Sequence, residues 1–97
     1  MIKHVVLFKL KDSEDKLVKM QQIKTELEAL TSIIDELHSM EVGINVNPAE
    51  GWDLTLSCVV DSLEALDAYS NHEAHVKVAK EFIGPIKVDR SCVDFEI

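Results

Sequence analysis

Ile2-Lys3-His4-Val5-Val6-Leu7-Phe8-Lys9-Leu10 is a β-branched and aromatic run about the length of one strand. Alternation along a strand puts Ile2, His4, Val6 and Phe8 on one face and Lys3, Val5, Leu7 and Lys9 on the other. Both faces have an apolar centre, so both need cover. A single layer of helices covers only one of them, and a partner has to supply the other.

Outward from this strand the period changes at Asp12-Ser13-Glu14-Asp15. Leu17, Met20, Ile23, Leu27, Leu30, Ile34 and Leu37 then recur at spacings of three or four, which predicts one amphipathic helix. Ser13 or Asp12 is its expected N-cap, and Lys16, Lys19, Gln22, Lys24, Glu26 and Glu28 form its solvent face. Met40, Val42, Ile44 and Val46 alternate with polar residues as a second strand, and Asn47 to Gly51 make a turn. Trp52 to Val60 is the third strand, with Trp52, Leu54, Leu56, Cys58 and Val60 on one face, so the two strands form a hairpin.

Asp61-Ser62 opens a second helix through Leu63, Leu66 and Tyr69, re-capped at Asn71 and continuing through His75, Val76, Ala79 and Phe82 to Gly84-Pro85. Ile86 to Val88 and Cys92 to Ile97 make the last strand, with Val93, Phe95 and Ile97 on one face. The order β-α-β-β-α-β predicts an α+β, ferredoxin-like fold: a four-stranded antiparallel sheet with both helices on one side. Val5, Leu7 and Val59 populate the side left open. A homodimer that buries sheet against sheet in a dimeric α/β barrel is therefore the expected assembly.

With 97 residues, 46% of them apolar, the chain suits one domain spanning 1–97. Its start lacks the features of a secretory signal and its apolar runs are too short to span a bilayer, so a cytoplasmic location is expected. Eighteen acidic against ten basic residues give a net charge of −8, which repels phosphate backbones and anionic lipids and argues against nucleic-acid and membrane partners. Cys58 and Cys92, both in apolar strand runs, are expected to be reduced and structural.

The chemical inventory is four histidines, one tyrosine and no Gly-rich phosphate loop. His4 lies on the helix-facing side of the first strand, and Tyr69, His72 and His75 follow at spacings of three, sharing one face if the backbone stays helical. His-x-x-His is a metal-binding spacing, but no third ligand is near in sequence, so neither metal nor cofactor is expected. An imidazole beside a tyrosine hydroxyl suits a general base that takes a proton from a carbon acid next to a carbonyl. The plainer alternatives are that His4 is a core residue bonded to the backbone or to Tyr69, that His72 starts a helix at the surface, and that His38 complements the end of the first helix. Trp52 caps the core or stands at a cavity mouth.

The opening Ile2 to Asp12 and the segment Asp67-Ala68-Tyr69-Ser70-Asn71-His72-Glu73-Ala74-His75-Val76 resemble two signatures of the stress-responsive A/B barrel domain family, within the dimeric α+β barrels. The resemblance implies the dimer. It also implies, by likeness to a plant polyketide cyclase of that family that works without a cofactor, His75 as base, Tyr69 on the substrate carbonyl and His4 lining the pocket. His72, Trp52, Leu54 and Phe82 are the expected lining of the same pocket. That cyclase has a histidine where this chain has Leu54 and a proline where it has Glu73; the loss of the strand histidine makes the pocket more apolar. Two functions follow: a non-catalytic homodimer that binds a small molecule between sheet and helices, and a cofactor-independent cyclase, isomerase or lyase.

Overall fold

The computed structural model describes residues Met1–Ile97, and its elements follow the expected order. Strand β1 (Ile2–Leu10) is followed by helix α1 (Lys16–Glu28), strands β2 (Ser39–Ile44) and β3 (Leu54–Val60), helices α2 (Leu63–Asn71) and α3 (Glu73–Val78), and strand β4 (Lys87–Glu96). The sheet order is β2-β3-β1-β4 with every neighbouring pair antiparallel, the ferredoxin-like arrangement. The alternation read from β1 reappears as burial. His4, Val6 and Phe8 are buried, while Lys3, Val5 and Leu7 on the other face are half-buried. Leu54, Leu56, Cys58 and Val60 of β3 join the buried face, and Met20, Ile23, Leu27 and Leu66 pack on it from the helices.

The first helix is shorter than its apolar periodicity. It ends at Glu28 and passes into a 3-10 turn over Ala29–Ser32, yet Leu30, Ile34 and Leu37 remain buried. Thr31 and Ser32 explain the change, because their hydroxyls donate to the carbonyls of Glu28 and Ala29 and compete with helix hydrogen bonding. Neither Ser13 nor Asp12 caps α1. Ser13 Oγ donates to Asp15, Asp12 pairs with Lys16, and Leu17, in the first turn, is exposed.

Helix α1 closes the outer edge of the sheet. Glu28 accepts the Val42 amide at 3.0 Å, and Lys24 donates both to Glu28 at 2.8 Å and to the Val42 carbonyl at 2.6 Å. At the middle of that edge the Val42 amide and carbonyl are thus satisfied by side chains, which blunts a template for edge pairing. The Lys24 hydrogen bond holds the Glu28 carboxyl below its usual range, against the opposing effect of burial.

Strands β2 and β3 are each shorter than the expected hairpin arms. Val46 and Trp52 fall in the connection, where Asp53 instead anchors the loop by accepting the Leu10 amide at 2.7 Å. Strand β4 is continuous, and its pairing with β1 matches Val5 with Val93 and Lys3 with Phe95. Val5, Leu7, Val59, Val93 and Phe95 therefore share the face that no helix covers, where Val93 is 62% and Phe95 43% exposed. No helix of the chain is long and apolar enough to cross a membrane.

Candidate functional site

The break between the last two helices arranges the site. Expected at Asn71, it falls at His72, whose ψ of 136° leaves the helix and whose Nδ1 accepts the Ala74 amide at 3.0 Å. Asn71 instead finishes α2 by donating to the Asp67 carbonyl. The imidazole does here what an Asn or Ser cap usually does. His72 is thereby spent on its own backbone, and Tyr69, His72 and His75 do not share one continuous helical face.

Across this break Tyr69 and His75 still meet, with ring centroids 4.5 Å apart, and the Tyr69 ring stands edge-on to His4 at 6.4 Å. The three side chains, from β1, α2 and α3, line one cavity of about 150 Å³ between sheet and helices. Val6, Phe8, Leu27 and Leu56 supply its apolar wall, and the exposed side chains of Lys87 and Arg90 stand at its β4 side. Ala79, Ile83 and Gly84 close it from a π-helical stretch over Ala79–Ile83, where the Gly84 amide reaches back to the Ala79 carbonyl at 2.8 Å. At about 30 Å³ for each water in the liquid, the volume suits a molecule the size of a few waters.

Each polar group of the trio has a defined state. His75 Nδ1 lies 2.8 Å from the Ser70 carbonyl. A carbonyl only accepts, so Nδ1 carries the proton and Nε2 keeps its lone pair. Burial holds this imidazole below its usual 6.5, with the charges of His4, Arg90 and His72 adding to the effect and the Ser70 carbonyl opposing it. The Tyr69 hydroxyl is buried and has no hydrogen-bond partner within the chain. Burial, and secondarily Cys58, pushes its ionisation far above the ordinary phenol range, so it serves as a neutral donor and acceptor. His4 is 7% exposed and pairs through Nδ1 with Asp94 Oδ1 at 2.5 Å, a carboxylate partner in place of the expected backbone or Tyr69.

A folded-state pKa below the unfolded 6.5 means that unfolding takes up a proton between the two values. The stability associated with neutral His75 is therefore complete above 6.5 and is lost as pH falls through the lower folded value. Proton resonances of the His75 ring should titrate with a midpoint below 6.5, and a midpoint at or above it would contradict the burial described here.

The remaining expected lining residues lie elsewhere. Trp52 and Leu54 border a different cavity of about 310 Å³, with Leu7, Gly43, Ile44 and Thr55, at the open-face end of the sheet. Phe82 faces α1 and the Pro85 turn, because the π-helical stretch rotates it away from the sheet. His38 lies beyond α1 and pairs with Asp61 at 2.7 Å. Cys58 is fully buried, and burial pushes its thiol up to about 12. Cys92, expected as a buried hydrophobe, is only partly buried, because edge strand β4 extends past the helices, and it sits beside His4 and Asp94. Sequence spacing missed Asp94, Lys87 and Arg90. They reach His4 and the cavity only through the pairing of β4 with β1.

The sequence model of the family described as Stress responsive A/B Barrel Domain matches residues 2–97. A stress-response A/B barrel domain-containing protein of Arabidopsis thaliana is 34% identical over 95 residues, covering 97% of this chain and 36% of that protein. The chain therefore spans just over a third of the length of that curated relative. A dimeric protein of unknown function and ferredoxin-like fold from Bacteroides fragilis superposes with a TM-score of 0.93 at 40% identity, over 99% of this chain and 95% of that one. A dimeric ferredoxin-like protein of unknown function from Thermobifida fusca gives 0.83 at 28% identity, over 99% and 90% of the two chains.

Proposed function

Because the chain belongs to the stress responsive A/B barrel domain family, we propose that it works as a homodimer, closed sheet against sheet, that binds a small carbonyl compound in the cavity between sheet and helices. Support for the dimer comes from the uncovered apolar face and from the similar proteins of Bacteroides fragilis and Thermobifida fusca, both described as dimeric. One observation carries the binding reading. Three separate elements bring His4, Tyr69 and His75 to one cavity, and the Tyr69 hydroxyl there has no partner within the chain. A buried polar group without a partner costs about 1–3 kcal/mol, so a ligand oxygen that bonds to it recovers what folding gave up. An apolar wall with a few convergent polar groups is the usual lining of small-molecule sites, and at about 150 Å³, below the roughly 300–1,000 Å³ of drug-sized pockets, this one takes a ligand of few atoms.

A second reading uses the same cavity for catalysis. It is favoured by the His75 tautomer, which leaves Nε2 free to take a proton from a carbon next to the carbonyl while Tyr69 holds the carbonyl oxygen. The chemistry needs no cofactor, and it corresponds to a cyclase, isomerase or lyase.

Thermal-shift screening with small carbonyl compounds, followed by histidine resonances, tests the binding reading. A stabilising compound is expected to move the signals of His4 and His75 and to leave His38 unmoved. If no compound stabilises the protein, or if the stabilising ones leave His4 and His75 unchanged, the binding reading fails. Turnover of a bound compound that His75→Ala abolishes, with the dimer still folded, selects the catalytic reading.

A further inference from the structure

The His4–Asp94 pair has a third member that the proposed pocket does not use. Cys92 Sγ lies 3.5 Å from His4 Nδ1 and 3.6 Å from Asp94 Oδ1, so a nitrogen, a sulfur and an oxygen ligand lie within 4.8 Å of one another. They come together through sheet register: His4 pairs with Asp94 across β1 and β4, and Cys92 is two residues from Asp94 on the same face. We propose that His4, Cys92 and Asp94 form a binding site for a thiophilic divalent cation of the Zn²⁺ type.

The geometry fits that ion. Zinc takes sulfur at about 2.3 Å and nitrogen or oxygen at about 2.0–2.2 Å in tetrahedral array, which places sulfur roughly 3.5 Å from the other ligands. Both sulfur spacings already have that value. Only the nitrogen and oxygen must separate, by somewhat less than about 1 Å. Asp94 has room for this, since its residue is exposed on edge strand β4. The donor set also suits zinc over magnesium or calcium, which prefer all-oxygen shells.

Charge and protons balance. The Cys92 thiol releases its proton to solvent and binds as thiolate. His4 moves its ring proton from Nδ1 to Nε2 and binds through the freed Nδ1. The thiolate and the Asp94 carboxylate together neutralise the two positive charges of the ion. Three protein ligands leave the fourth position to water or to a further ligand, an arrangement that zinc adopts outside its closed four-ligand sites. Cys58, the register partner of His4 on β3, stays in the core and is not a ligand.

The test uses untagged, chelator-treated protein titrated with Co²⁺ and then Zn²⁺. Cobalt is expected to produce the near-ultraviolet thiolate charge-transfer band, and zinc to displace it. Cys92→Ser should abolish the band and weaken zinc binding on the order of 100-fold, and Asp94→Asn should weaken it by about tenfold or more. Both residues sit on the partly exposed edge strand, so far-ultraviolet circular dichroism should remain unchanged. Cys58→Ala should keep the band. The proposal is overturned if cobalt gives no thiolate band, if the band survives Cys92→Ser, or if the band depends on Cys58 instead.

Discussion

Val5→Asp is expected to split the proposed dimer while leaving the subunit folded. Val5 sits at the middle of β1, between Ser57 of β3 and Val93 of β4, on the face that no helix covers. In a single subunit that position is only half-buried, so an aspartate there remains hydrated and costs about 1 kcal/mol in strand preference. Between two sheets the same carboxylate loses its water and gains no partner, which costs several kcal/mol. The substitution enters both copies at once. The dissociation constant should rise by about a thousandfold, equivalent to roughly 4 kcal/mol. Light scattering across a dilution series measures the shift, and circular dichroism checks the fold. A variant that stays as tightly dimeric as the parent would place the interface on another surface.

Tyr69 should give opposite results in two substitutions. The residue is 1% exposed, with its ring edge-on to His4 and tilted against His75, so Tyr69→Ala opens a void in the core and should destabilise the protein by about 3–5 kcal/mol. Tyr69→Phe keeps the ring and removes only the hydroxyl that has no partner within the chain. That change should stabilise the free protein by about 1 kcal/mol, a rise in Tm of roughly 4–8 °C for a domain of this size. Any stabilisation by a carbonyl ligand should then be lost in the phenylalanine variant. A residue kept at the expense of stability is the mark of a binding role. If Tyr69→Phe instead destabilises the free protein, the hydroxyl is bonded within the fold and the argument for a ligand oxygen is removed.

The fold was legible because its deciding signals are local. The alternation along Ile2–Leu10 and Leu54–Val60, the spacing from Met20 to Leu27, and the Ser62 cap, whose Oγ accepts the Ala65 amide at 3.1 Å, each need only neighbours in sequence. The end of α1 is obscured because Ile34 and Leu37 keep helical spacing while lying beyond the helix on either side of the Asp35-Glu36 turn, so core burial imitates a longer helix. The break at His72 was displaced by one residue, since a histidine took the capping role usually given to Asn, Asp, Ser or Thr.

Tyr69 and His75 were visible as a pair across that break, and His4 from its strand face. The rest of the cluster depends on a contact no local pattern contains. Asp94 is 90 residues from His4, and Cys92 is 88. Their apposition exists only once β4 lies beside β1 in one register. Trp52 and Phe82, expected in the pocket, lie outside it. Where they lie is decided by strand ends and by the π-helical stretch, neither of which hydrophobic periodicity encodes.

The uncovered face of the sheet carries the account, and sedimentation equilibrium of the unmodified chain at micromolar concentration tests it most directly. Twice the chain mass, with no detectable single subunit, is the predicted result. A well-folded species at the mass of one chain would contradict it, because Val93 and Phe95 would then be stable in water with nothing covering them.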